Sequence, residues 1–225
     1  MTDLAHDLAH ILRHGDRALV LAQRLLEQIT HAPEIEEDMA LANLALDLIG
    51  QARTLYTYAG QVEGLDHDED HFAYWRGPDE FAHPWLVEQP NIDFAHVIVR
   101  QYLHDEYALR FWQASPWEVA GKAVKETTYH LRHSRSWVLR LGDGTDESHR
   151  RAHAALDALW PYVDGLFTPA DEFRADYDAA VAATLAEATL GVPADTAPPP
   201  GPTRHIESLL AELQGTARAH PGATW

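Results

Sequence analysis

KETTYHLRHSRSW, residues 125–137, decides how the rest of the chain is read. It carries a carboxylate at Glu126 and an imidazole at His130, one helical turn apart. Ala120, Val124, Thr127, Leu131, Ser134, Val138 and Leu141 recur at helical spacing and form one stripe. A second stripe beside it reads Val119, Ala123, Glu126, His130, His133 and Trp137. Two adjacent stripes predict a helix largely enclosed by neighbours. Glu126 and His130 are therefore expected to point into a helical bundle, which is where di-iron proteins keep their ligands.

Working outward, the pattern stays helical. Leu8, Ile11, Leu12, Leu19, Leu25, Leu26 and Ile29 predict a first helix over residues 4–29, with Gly15 and Asp16 as a possible bend. His31-Ala-Pro33 ends it, because the residue before proline is pushed out of the α region. The second helix, about residues 34–59, starts on Glu34, Glu36, Glu37 and Asp38, which suit the positive end of a helix. It is apolar nearly all round, which predicts a central element, with one polar edge of Asn43, Asp47 and Gln51. Asp47 is expected in a buried polar network.

Residues 60–90 hold the acidic run Asp66-His-Asp-Glu-Asp70 and the aromatic residues Phe72, Tyr74, Trp75, Phe81 and Trp85. They predict a long ordered crossover. A third helix is expected to about Ala114, a fourth over roughly residues 117–141, then helices near 149–166, bent at Pro161, and 169–190. Pro198-Pro-Pro200 marks a connector, followed by an amphipathic segment with Ile206, Leu209, Leu210 and Leu213. The predicted fold is all-α and ferritin-like: a single domain over residues 1–225, with a four-helix bundle at about 4–142 and a helical extension at about 149–225.

Composition narrows the function. The net charge of −18 argues against a nucleic-acid binder and against an anionic membrane surface. With no cysteine there is no thiolate, Fe–S or Cys–zinc chemistry. MTDLAHDLAHILRH lacks the basic start and apolar core of a signal peptide, and no apolar run is long enough to span a bilayer, so a cytoplasmic location is expected.

A di-iron carboxylate bundle needs two Glu-x-x-His pairs on helices. Acids three residues before a histidine occur at Asp3–His6, Asp7–His10, Asp68–His71, Glu80–His83, Asp93–His96 and Asp146–His149. All fall in the N-terminal stretch, in loops or in a first helical turn. The second helix has no histidine, and in the fourth the histidine comes one residue late after Glu126. Asp47, Glu106, Glu126 and His130 are thus candidates for a degenerate polar core, with Glu126 and His130 as a hydrogen-bonded pair. Asp105 and Glu106 are adjacent and diverge on a helix, which predicts a half-exposed face. Arg132, Arg135 and Arg140 form a candidate anion-binding patch.

HAPEIEEDMALANLALDLIGQAR (31–53), LVEQPNIDFAHVIVRQYL (86–103) and KETTYHLRHSRSWVLRLGDGTDES (125–148), with a closing Pro-Gly-x-x-Trp, resemble the PaaC subunits of bacterial phenylacetyl-CoA epoxidases. That resemblance implies a ferritin-like subunit of a multicomponent monooxygenase, which uses O₂ and NADPH-derived electrons to epoxidise the ring of phenylacetyl-CoA. It implies a di-iron centre in the partner PaaA, no cofactor and no catalytic residue in this chain, and a structural role in pairing with PaaA and other epoxidase components. Alone, the chain could form a homodimer. Surface from the second and third helices is the expected dock for PaaA. Two other readings stand beside this one: an independent di-iron or di-manganese oxidoreductase with Asp47, Glu106, Glu126 and His130 as atypical ligands, and a small-molecule-binding bundle.

Overall fold

The computed structural model describes residues 2–194 and 203–223. The long helices are α1 (Thr2–Gln28), α2 (Ile35–Glu63), α4 (Phe94–Ala114) and α5 (Ala120–Gly142). The short turn α3 (Trp85–Glu88) precedes α4, and α6 (Asp146–Leu159), α7 (Arg174–Glu187) and α8 (His205–Ala219) follow α5. All regular structure among the described residues is helical, and the chain is all-α and ferritin-like, with a long connection between α2 and α4. The proline run 198–200 lies outside the described residues, as do the side chains of Asp3, His6 and Asp7 and the final tryptophan. The fold divides into two compact units, Met1–Pro90 with Thr203–Trp225, and Asn91–Pro202.

The first unit is built on the antiparallel pair α1–α2. Asp38 closes the turn between them, accepting from the backbone N–H groups of Thr30 (2.9 Å) and Ala32 (3.1 Å). Gly15 does not bend α1, which runs through it unbroken. Its role is close approach: a Cβ there would lie 2.6 Å from Tyr56 Cε1 on α2. Likewise α2 does not stop before Gly60. It continues to Glu63 and ends on Gly64 in the left-handed conformation. The helix is glycine at position 60 because the chain folds back there, and a Cβ would sit 2.1 Å from the His67 carbonyl oxygen.

Gly60→Ala is accordingly expected to destabilise the protein by about 1–3 kcal/mol, since the obstruction is backbone. Gly215→Ala, in open space on α8, should stabilise it by about 0.5–1 kcal/mol. Urea midpoints of the two variants check the pair of opposite signs.

The crossover after α2 is ordered, as its aromatic content predicts: a π-helical turn at His71–Trp75, a 3-10 turn at Pro78–Glu80, then α3. In the second unit α4 and α5 are antiparallel and joined by residues 115–119. The enclosed helix is α4, not the second helix of the chain. Every residue from Ala95 to Ala108 is buried, including Arg100, Gln101, His104, Asp105 and Glu106. By contrast α5 buries one face, through Ala120, Ala123, Thr127, His130, Ser134 and Val138, and leaves the other in solvent. The expectation of an enclosed α5 fails because Lys122, Lys125, Tyr129 and Arg132 occupy the face outside both stripes and keep it in solvent. Pro161 converts α6 into a 3-10 stretch, Trp160–Leu166, as its missing N–H requires.

Candidate functional site

The buried carboxylates of α4 are where a metal centre of this fold would be sought. Asp105 is fully enclosed. Its Oδ1 accepts from Gln101 Nε2 at 2.7 Å and lies 3.2 Å from His104 Nδ1. Its Oδ2 accepts from Ser134 Oγ of α5 at 2.8 Å. Glu106, next in sequence, turns to a different set of partners: the Tyr102 hydroxyl at 3.4 Å and the Arg110 guanidinium. Both are buried, against the expectation of a half-exposed face. The reason is that α5, α6, α7 and the Trp160–Leu166 turn pack around α4 within its unit, so diverging directions both lead inward.

The other candidates lie elsewhere. His130 is buried on the inner face of α5, one turn before Ser134, with the Tyr129 ring 6.4 Å away. Glu126 stands half-buried at the edge of that face, 3.0 Å from Lys122 Nζ. Asp47 belongs to the first unit and is half-exposed on α2. Its neighbours on the polar edge divide, Asn43 to solvent and Gln51 to the core.

The donor set does not fit a di-iron carboxylate cage. Such a cage needs carboxylates free to bridge cations, and both oxygens of Asp105 are already taken, by Gln101 and Ser134. Burial, with Glu106 beside it, pushes the Asp105 carboxyl well above the usual range, although Ser134 and Gln101 pull the other way. Glu106 is already neutralised by Arg110. Among the described residues no three His, Asp or Glu side chains converge as a ligand group. Two of the six i, i+3 acid–histidine matches have a local explanation. Asp93 caps α4, accepting from His96 N at 2.9 Å with His96 Nδ1 at 2.8 Å, and Asp68 accepts from His71 N at 2.9 Å. The spacing that suits a ligand pair is also the spacing of an N-cap.

A sign follows for Asp105. A carboxyl whose folded pKa is raised gives its full stability only below the unfolded value, near 3.9, and loses it as pH rises toward the folded value. Asp105→Asn should therefore be close to neutral at acid pH and gain on the wild type as pH rises. Gln101 Oε1, buried and without a partner among the described residues, can accept the new amide N–H. Urea titrations at pH 4 and pH 7 check this.

Sequence reading missed the two anchors of the crossover. Asp16, fully buried, accepts from the Tyr56 hydroxyl (2.6 Å), the backbone N–H of Ala82 (2.8 Å) and both terminal nitrogens of Arg76. The signal was present: Asp16 falls in the apolar stripe between Leu12 and Leu19. Glu88 is the second anchor. Its carboxylate receives Thr203 Oγ, the Ile206 N–H at the start of α8 (2.9 Å) and His83 Nε2 (3.0 Å). Burial opposes its ionisation, yet His83, Thr203 and the Ile206 N–H together hold it below the ordinary carboxyl range.

That depressed pKa gives stability present above the unfolded value, near 4.3, and lost as pH falls through the folded value. Glu88→Gln should narrow the acid-unfolding difference between pH 5 and pH 3 while also weakening α8 docking at pH 7. Far-UV circular dichroism against pH checks it.

The remaining surface feature is on α2. Its inner face, Leu41, Leu44, Leu48, Leu55 and Tyr56, is core. Ile35, Met39 and Leu46 are 72, 63 and 62% exposed, with half-buried Ala42 and Ile49 between and beyond them. Positions 35, 39, 42, 46 and 49 alternate steps of four and three, which is the seam of a helix that packs on another helix. The enclosed α4, expected to share a docking surface with the second helix, offers no such surface between residues 95 and 108. Arg135 of the expected arginine patch is tied to Thr184 (3.2 Å) and Glu187, leaving Arg132 and Arg140 on the outer face.

No helix among the described residues is long and apolar enough to cross a membrane. The family model described as phenylacetic acid catabolic protein matches residues 2–225. The C component of 1,2-phenylacetyl-CoA epoxidase from Escherichia coli (strain K12) is 42% identical over 245 aligned positions, covering 96% of this chain and 98% of that protein.

Proposed function

The chain belongs to the phenylacetic acid catabolic protein family, and from that premise we propose that it is a non-catalytic subunit of a phenylacetyl-CoA epoxidase, pairing with a di-iron catalytic subunit, PaaA, and supporting it in the cytoplasm. The observation that carries this reading is the exposed seam on α2. Apolar residues at heptad spacing on a water-facing helix lose stability unless a second apolar helix covers them. A small molecule would need a concave site with convergent polar groups, and a seam of Ile35, Met39 and Leu46 supplies neither.

In this reading the chain's own residues do no chemistry on the substrate. The Asp105 and Glu106 carboxylates are spent on Ser134, Gln101, Tyr102 and Arg110, and they stiffen the α4–α5 pair. The iron and the oxygen chemistry are assigned to the partner. Purified chain and purified PaaA, mixed and run by size exclusion with light scattering, should co-elute, and phenylacetyl-CoA epoxidation should need both. Separate elution, or full epoxidation by PaaA without this chain, would overturn the proposal.

A further inference from the structure

The chain contains two lysines, Lys122 and Lys125, and both lie on α5. They share its outer face with Tyr129, Arg132 and Arg140: at 100° per residue the five positions fall within about 80° of arc. All five are exposed. Elsewhere the surface arginines are held at home. Arg53 pairs with Glu69, Arg135 with Glu187, Arg150 and Arg151 with Glu147, Arg174 with Asp178, and Arg204 with Glu207. Arg218 donates to the Tyr74 and Arg76 carbonyls. On the outer face of α5 only Lys122 has a carboxylate partner, Glu126. Among the described residues Lys125, Arg132 and Arg140 meet no carboxylate. Arg132 lies over the Tyr129 ring at 5.6 Å and Arg140 over Trp137 at 5.4 Å.

A chain of net charge −18 thus has, among the described residues, four exposed cations that meet no carboxylate: Arg218, held by two carbonyls, and Lys125, Arg132 and Arg140, which stand together on the ridge from Lys122 to Arg140, about 27 Å long, with an aromatic ring 42% exposed in its middle. We infer that this ridge is a docking surface for a second protein partner with an acidic face, separate from the partner seated on the α2 seam. Charge complementarity carries the inference. Unpaired guanidinium and ammonium groups steer a carboxylate-rich surface into register, and exposed Tyr and Arg are the residue types that anchor interfaces. A nucleic acid fits less well, because its phosphates would meet the remaining negative field of the chain. A flat ridge also suits a macromolecule better than a small anion, which needs a pocket.

The two lysines make the test direct. The probes are the purified protein components of a phenylacetyl-CoA epoxidase, so the test rests on the proposed function. Each is mixed with the full chain at about 50 mM salt and treated with a carbodiimide, which joins a lysine amine to a contacting carboxylate with loss of water. Peptide mass spectrometry should find Lys125 joined to an Asp or Glu of a component other than PaaA, with the yield falling at about 300 mM salt, and a product with PaaA alone would overturn the inference. The Lys125→Gln/Arg132→Gln/Arg140→Gln variant should bind that component at least about tenfold more weakly at low salt. Its circular dichroism and its association through α2 should be unchanged.

Products confined to this chain, or joining two copies of it, would overturn the inference, as would no product with any component. Tighter, variant-sensitive binding of a single-stranded DNA oligomer would overturn it in favour of nucleic acid. A Leu46→Asp substitution on the α2 seam reports pairing through α2 separately, so failure of the ridge and failure of the proposed pairing give different results.

Discussion

Arg76→Met will lower the stability of the protein by about 3–5 kcal/mol, among the largest losses a single side chain here can cause. Arg76 sits on the crossover and reaches Asp16 in the middle of α1, a residue with no exposure. Removing the guanidinium leaves the Asp16 carboxylate buried with only the Tyr56 hydroxyl and the Ala82 N–H. It also frees the Phe72 and Glu80 carbonyls to which Arg76 donates and removes the cation 4.2 Å above the Phe81 ring. The penalty is chiefly the charge left behind. Arg76→Met combined with Asp16→Asn should therefore recover a good part of the loss, because an uncharged amide is far cheaper to bury. Urea unfolding of the two single variants and the double variant measures the coupling. Additive losses would mean that the pair is not the anchor described.

Given the pairing proposed above, Leu46→Asp will weaken association with PaaA by about 100-fold or more, equivalent to about 2.7 kcal/mol. Leu46 is the fourth of the five seam positions and stands well out of the surface. A carboxylate there would have to be buried unpaired in an apolar helix interface, which opposes docking directly. The same substitution should leave the isolated chain within about 0.5 kcal/mol of wild type, since the side chain lies outside the core. Leu48→Asp, two residues on and pointing into the core, should instead unfold the protein. Calorimetric titration with PaaA and thermal melts of the free variants separate the two effects. Undiminished pairing by Leu46→Asp would remove α2 from the interface.

Much of the architecture was legible from periodicity. The long helices, the ordered crossover, the bend at Pro161 and the last amphipathic helix all stand in the structure. The identity of the central helix was not. A helix apolar on every side can be enclosed, or it can present a second face to a partner, and residue type alone does not separate these. Thus α2 looked central because its seam is as apolar as its core face. Conversely Asp105 and Glu106 of α4 were expected on a half-exposed face because adjacent acids diverge on a helix, although internal partners let α4 bury both. The pairing of Asp105 with Ser134 joins residues far apart in sequence, so no local pattern announces it. Glu88 was missed for a similar reason: its partners, Thr203 and Ile206, return from the other end of the chain. The acid–histidine spacing does not by itself mark a metal site, because the caps of helices use the same interval as metal ligands.

Where the iron resides tests the proposed non-catalytic role most directly. After the pair of chains is reconstituted with ferrous iron and separated under mild conditions, iron quantitation on each chain is the decisive measurement. The account predicts that iron follows PaaA and that this chain carries no stoichiometric metal while still restoring epoxidation when added back. About two irons retained per copy of this chain, with activity in its own right, would contradict it.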